Sequence, residues 1–323
     1  MPNQQVRFTI FIPTFNRAEL LPRAFESIEQ QSFKDFEVLI IDDGSSDNSA
    51  EIVKNWQTNV DFPVFYHYQE NQGKPAAHNH GAQKANGFFF VTLDSDDLLA
   101  PDALEILERH WNNIPDEQKP EFAGVEGLCA FLSDGSIAGR RFPEDVIDSN
   151  YPEMRHRYKV SGDKKNAIRT EVVREFQYPL FPGETHIRMS VIWSRMAAKY
   201  KFRYINEVIQ IIEYQPGGLS SNAFWRRIEC PLGYRLTYQE ILNDTPEYYS
   251  AGERFNAMSK YIRYSFHADI PLSQQLSDIN NKALFMATLP KAYINFLIDK
   301  RKLKSPKRRL KSPSSKASAQ SSR

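Results

Sequence analysis

Along the first hundred residues, short unbroken apolar runs alternate with segments whose apolar residues recur at helical spacing. Residues 8–13, 36–41 and 64–69, and the run opening at Phe88, read as buried strands. Between the first two, Leu21, Ala24, Phe25 and Ile28 fall on one face of a helix. A second helix is expected to start near Asn48, three residues before Glu51 in a capping-box-like pattern. A third is expected over residues 75–84. A fourth, with Pro101 in its first turn, runs through His110. Continuous apolar strands alternating with helices predict an α/β fold with a doubly wound, mostly parallel sheet.

The stretch from 111 to 183 is less regular. Asp134-Gly135 reads as a hairpin turn between two short strands. Residues 187–200 read as helix and 202–212 as strand, after which Pro216-Gly217-Gly218 opens a loop expected to be flexible. From Trp225 onward the pattern is helical. The apolar stretch 284–298 is interrupted by Pro290, Lys291 and Asn295 and is too short to span a bilayer. Beyond about residue 302 the composition is rich in Ser, Lys and Pro, which predicts disorder. The expected division is an α/β domain over 1–224, a helical region over 225–300 and a disordered basic tail over 301–323.

Hydrophobic residues make up 41% of the 323, enough for a substantial core, and the 13% aromatic content is assigned mostly to packing. The net charge of +1 conceals an asymmetry. Nine of the 41 lysines and arginines lie in residues 301–323, which hold no acid, so the first 300 residues carry 32 basic against 40 acidic side chains. An apolar helix beside such a basic tail matches an interfacial anchor on an anionic membrane surface. A core helix followed by a solubilising tail is the competing reading. The two cysteines, Cys129 and Cys230, are far apart and fit a reducing compartment. Residues 1–9 show no apolar signal core. The expected location is cytoplasmic, free or peripheral on the inner membrane face.

Two acidic clusters, each following an apolar strand, carry the candidate chemistry. They are Asp42-Asp43-Gly44-Ser45-Ser46 and Asp94-Ser95-Asp96-Asp97. Each alone is explicable as a turn or a helix cap. Together they are costly, because crowded carboxylates repel and resist desolvation. In an open α/β sheet, ligands bind at the carboxyl ends of the strands, so a divalent cation and a phosphate-bearing, hydroxyl-rich ligand are expected there. The second cluster is no EF-hand loop, since Leu98 occupies a ligand position and no glycine follows. His78-Asn79-His80 lies on a predicted helix, where residues two apart diverge, so a structural role is favoured over zinc binding. Gly73-Lys74 lacks the upstream glycine of a P-loop.

The order of these segments resembles the family 2 glycosyltransferases with the GT-A fold. The likeness covers residues 7–222. It runs through Asp42-Asp43-Gly44-Ser45-Ser46-Asp47, Asn71-Gln72-Gly73-Lys74, Asn79-His80-Gly81 and Phe90 to Asp97. It continues through Trp193-Ser194-Arg195, Ile205-Asn206-Glu207 and Gly218-Leu219-Ser220. The resemblance implies that Asp43, with the backbone of Pro13 and Thr14, meets the nucleotide base, and that Lys74 approaches the nucleotide. It implies that Asp94 and Asp96 form the Asp-x-Asp motif, with Asp96 as the direct ligand of Mn²⁺ or Mg²⁺, Asp94 nearer the ribose and Asp97 as a substitute. Gly218-Leu219-Ser220 is implied to lie over the diphosphate.

One departure stands out. Inverting members place a carboxylate about four residues before the tryptophan matching Trp193, and here that position is Met189. Glu184 and His186 are the nearest titratable alternatives, and Glu184 is the candidate base. The expectation is transfer of a single sugar from a nucleotide-diphosphate sugar, UDP-linked by preference, to a saccharide or lipid-linked saccharide hydroxyl, with inversion. No nucleic-acid partner is expected. Two competing readings are a nucleotide-sugar-binding protein that has lost its base, and a nucleotidyltransferase, which would need a basic glycine-rich amino-terminal loop.

Overall fold

The computed structural model describes residues 6–214 and 223–304. The chain divides into two compact units, Met1–Leu180 with Thr185–Pro216, and Phe181–Glu184 with Gly217–Arg323. The first unit is built on nine strands: β1 (Phe8–Thr14), β2 (Phe36–Asp42), β3 (Val64–Tyr68), β4 (Phe89–Thr92), β5 (Leu98–Leu99), β6 (Phe122–Phe131), β7 (Val146–Ser149), β8 (Lys164–Arg169) and β9 (Lys201–Ile212). Its helices are α1 (Leu21–Glu29), α2 (Ser49–Gln57), α3 (Lys74–Lys84), α4 (Ala103–Asn112), α5 (Thr170–Glu175) and α6 (Ser190–Met196).

The sheet order is β3-β2-β1-β4-β8-β6-β9-β5, with β7 also paired to β9. The block β3-β2-β1-β4 is wholly parallel. β8 enters antiparallel between β4 and β6, and β9 pairs parallel with β6. Six strands therefore share one direction, while β5, β7 and β8 run against it.

The unbroken apolar strands are explained by cover on both faces. Phe8, Ile10 and Ile12 of β1 and Val38 and Ile40 of β2 pack with Leu21, Phe25 and Ile28 of α1, Trp56 of α2 and Leu104 and Leu107 of α4. Phe25 stacks on Trp56 with ring centroids 3.9 Å apart. The alternate residue Phe11 turns to the opposite face and meets His78 of α3. Burying a Phe or Ile side chain is worth about 1.5–3 kcal/mol, so this two-sided core fixes the strand register.

Several local expectations shift. Asn48 precedes α2 but its side chain makes no cap. Asp47 acts instead, accepting from Ser49 N at 3.0 Å, Ser49 Oγ at 2.6 Å and Ala18 N at 3.0 Å. Asp134-Gly135 does form a turn, with Gly135 at φ 69°, but the return is a lone bridge between Ala130 and Ile137 rather than a second strand. The helix expected over 187–200 is confined to α6.

The second unit carries α7 (Ala223–Glu229), α8 (Pro231–Asn243), α9 (Ala251–His267), α10 (Leu272–Ser277) and α11 (Lys282–Lys304). Its core joins Tyr234 and Tyr238 of α8, Met258, Tyr261 and Ile262 of α9, and Phe285 and Ala292 of α11. Ser250 and Glu253 form a reciprocal capping box at the start of α9. Residues 301–304, expected to be disordered, continue α11. Arg, Lys and Leu are good helix formers, and cations suit a helix carboxyl end. The tail expected to be disordered lies, from residue 305 on, outside the described residues, as do the loop from Pro216 and the candidate Ser220.

Candidate active site at the carboxyl strand ends

Because β2, β1 and β4 are parallel neighbours, the two acidic clusters emerge on one edge of the sheet, on either side of Pro13 and Thr14 at the end of β1. At about 4.8 Å per strand, the ends of β2 and β4 lie roughly 10 Å apart. Asp42 and Asp43 are buried. Asp42 accepts from Ser45 N at 2.8 Å and from the Tyr66 hydroxyl at 2.7 Å. Asp43 N donates to Thr14 O at 2.8 Å, joining β1 to β2 past the end of their ladder.

The Asp43 carboxylate organises the loop before α3. Its Oδ1 accepts from Gln69 Nε2 at 2.7 Å and Gln72 N at 2.9 Å, and its Oδ2 accepts from Gly73 N at 2.7 Å. Gly73 sits at φ 89°, where an added Cβ would lie 1.9 Å from Thr185 O. Glycine is required there on both conformational and steric grounds. The next residue, Lys74, opens α3 and donates through Nζ to Asp94 Oδ1. One six-residue loop, 69–74, thus ties the acid at the end of β2 to the acid beyond β4.

The second cluster is a compact electrostatic unit. Asp94 pairs with Lys74 and also with Lys165 of β8, at 3.7 Å. Burial alone would raise the Asp94 carboxyl, but the two ammonium groups outweigh it and hold the carboxyl well below its usual range. Burial likewise opposes the charged form of Lys165, yet Asp94 and Asp97 keep its pKa raised. Burial, then the Asp94 charge, raise the Asp96 carboxyl. The same causes push Asp97 up to about 7. Asp97 accepts from Gln210 Nε2 of β9 at 2.6 Å. Gln210 Oε1 and Thr14 Oγ1 are buried without a partner. Lys165 and Gln210 were not foreseen. Gln210 stands among Ile209, Ile211 and Ile212, but Lys165 lies in the polar opening of β8, and the residues that give both their meaning lie far away in sequence.

His78 and His80 diverge as expected. His78 is buried among Phe11, Phe90 and Tyr178, with ring centroids 4.9–5.8 Å away. His80 Nδ1 lies 2.8 Å from Gln69 Oε1 and supports the Asp43 loop. Among the described residues, no three His, Cys, Asp or Glu side chains form a ready metal cluster. Met189 precedes α6, and its carbonyl accepts from the Tyr178 hydroxyl at 3.3 Å. Glu184 belongs to the second unit, where its carboxylate accepts from Leu232 N at 2.6 Å and Gly233 N at 2.8 Å at the start of α8. Burial raises its carboxyl, and those two N–H groups work against the rise.

A profile of the family described as Glycosyl transferase family 2 matches residues 9–117, which contain both acidic clusters and the loop between them. Residues 9–117 thus carry a family 2 glycosyltransferase domain. The GalNAc(5)-diNAcBac-PP-undecaprenol beta-1,3-glucosyltransferase of Campylobacter jejuni is 35% identical over 133 residues, 41% of this chain and 41% of that protein. The Escherichia coli chondroitin synthase is 38% identical over 98 residues, 30% of this chain and 14% of that protein. The match thus spans less than half the length of these relatives. The fold is of the GT-A type. It is shared with Staphylococcus aureus TarS 1–349 in complex with UDP-GlcNAc, at a TM-score of 0.60 and 17% identity over 88% of this chain and 80% of that one. It is shared too with the Pyrobaculum calidifontis mannosyltransferase PcManGT in complex with GDP-Man and Mn²⁺, at 0.54 and 18% over 93% and 89%.

Proposed function

We propose that the protein transfers one sugar from a nucleotide-diphosphate sugar to a hydroxyl of a saccharide or lipid-linked saccharide, with inversion, in polysaccharide or glycolipid assembly. The loop 69–74, which links Asp43 to Asp94, carries this reading. It ties Asp43 to Lys74 and Asp94 on one strand-end edge, which supports a nucleotide-facing role for Asp43 and a diphosphate-facing role for Lys74 and Asp94. In this reading Pro13, Thr14 and Asp43 receive the base, and Lys74 and Asp94 face the ribose and diphosphate. A carboxylate has roughly four acceptor positions, and three on Asp43 are taken, leaving one for a base N–H. Uracil N3–H can fill that position, as can the ring or amino N–H of the other bases, so the preference for uracil leans on the UDP-GlcNAc bound to TarS. The bound UDP-GlcNAc of TarS and the undecaprenol-linked substrate named for the Campylobacter relative agree with a UDP-sugar and a lipid-linked acceptor. The proposed location is cytoplasmic.

A divalent cation, Mn²⁺ or Mg²⁺, fits the donor set. Asp96 and Asp94 offer hard carboxylate oxygens, and burial followed by the Asp94 charge raises the carboxyls of Asp96 and Asp97, a cost that a bound cation would offset. When bound, it supplies counter-charge to the departing diphosphate. Asp97 and Lys165 would hold the neighbouring charges in place.

Glu184 is the proposed base, and its two α8 hydrogen bonds favour the alternative. With Met189 at the family's base position and Glu184 engaged by Leu232 and Gly233, a nucleotide-sugar binder without efficient turnover is the second reading. Incubation with UDP- and GDP-sugars and Mn²⁺, following donor hydrolysis and nucleotide binding in parallel, tests both. Binding with turnover supports the enzyme, binding without turnover supports the binder, and neither refutes the nucleotide site. ADP or CDP binding as tightly as UDP in calorimetry would refute the uracil assignment.

A further inference from the structure

The helix α11 has two apolar faces. One is packed: Phe285, Thr288, Ala292, Phe296 and Asp299 recur at helical spacing and are buried. On that face Asp299 holds Arg263 and His267 of α9. The opposite face is also apolar, yet Met286, Tyr293, Ile294, Leu297 and Ile298 are 40–58% exposed. They form a stripe about 18 Å long, at 1.5 Å per residue. The only acid in α11 is the buried Asp299, so the outward side of the helix carries no negative side chain. Its end bears Lys300, Arg301, Lys302 and Lys304, and residues 301–323 hold nine basic and no acidic residues.

We infer that this stripe docks the chain on an anionic lipid surface, with α11 lying along the membrane plane. Apolar side chains enter the headgroup boundary while the adjoining cations meet lipid charge. A second copy of this chain fits less well, because it would bring a second cationic helix end, Lys300, Arg301 and Lys302, to the same stripe. No helix among the described residues is long and apolar enough to cross a membrane, which agrees with a helix that lies on the surface.

The test is co-sedimentation of the full chain with vesicles of phosphatidylglycerol and phosphatidylcholine, and with phosphatidylcholine alone. Wild type is compared with Ile294→Glu/Leu297→Glu/Ile298→Glu. These positions are exposed, so the fold is expected to persist, as circular dichroism would verify. The expected result is binding to the anionic vesicles that falls about tenfold or more both in the triple variant and on phosphatidylcholine alone. Wild type left in the supernatant at low salt overturns the inference. So does equal binding by the variant, or self-association in gel filtration that the variant abolishes without any vesicle binding. The assay uses neither sugar donor nor acceptor, so its failure leaves the transfer reading untouched.

Discussion

His78 offers a measurement that separates an aromatic-pocket histidine from a metal ligand. Its ring is buried against Phe11, Phe90 and Tyr178, and its Nδ1 has no partner. Burial, reinforced by the Lys74 charge, pushes its pKa down from 6.5 to about 3. Between pH 3 and 6.5 the unfolded chain therefore holds a proton that the native chain refuses, so stability rises with pH across that window and is lost on acidification. From pH 7.5 to pH 5.0 the difference in proton binding integrates to about 1.5 pH units. At about 1.36 kcal/mol per unit, this is about 2 kcal/mol. His78→Phe removes the titration. The larger ring adds an overpacking cost of about 1–3 kcal/mol, which is the same at both pH values and cancels in the difference. Urea unfolding followed by tryptophan fluorescence at both pH values, for wild type and variant, gives the comparison. Wild type should lose about 2 kcal/mol more than the variant on acidification. Equal losses would refute the buried, neutral histidine. A zinc-dependent stabilisation of wild type that disappears in the variant would make His78 a ligand after all.

Three further outcomes are expected. Asp96→Ala should abolish Mn²⁺-dependent turnover while leaving the thermal midpoint nearly unchanged, because a strand-end carboxylate adds little to the core; full wild-type transfer in excess EDTA would contradict the metal role. Gly73→Ala should cost more than about 1–3 kcal/mol from strain at positive φ and the clash with Thr185, and should weaken UDP binding by detaching the loop from Asp43; unaltered binding in calorimetry would show that the loop does not shape the site. Glu184→Gln should lower turnover by about 10²–10⁴-fold if Glu184 is the base. If it only caps α8, the same change should cost about 0.5–2 kcal/mol of stability with turnover unchanged; circular dichroism melts and transfer rates on one preparation distinguish the two.

The run of apolar strands, the helices between them and the two acidic clusters were legible in the chain because each is written locally. An unbroken apolar run such as Phe36 to Ile41 has one economical fate, a strand covered on both faces, and α1 announces its buried side through Leu21, Ala24, Phe25 and Ile28. The strand-end acids stood out because nothing in a core tolerates them unpaired. The exchange of cap from Asn48 to Asp47 turned on which short side chain the folded loop aims at Ser49 N, which composition does not encode. The partners were decided only by the fold. Lys165 lies 71 residues from Asp94 and Gln210 lies 113 from Asp97, yet the order β4-β8-β6-β9 brings them together. Glu184 met Leu232 and Gly233 across nearly fifty residues. The two faces of α11 were hidden for the same reason. Both are apolar in sequence, and only the packing of α9 against one of them decided which was core and which was left open. Periodicity fixes what a segment can bury; which charges end up beside one another depends on contacts between distant strands and helices, and those exist only once the chain has folded.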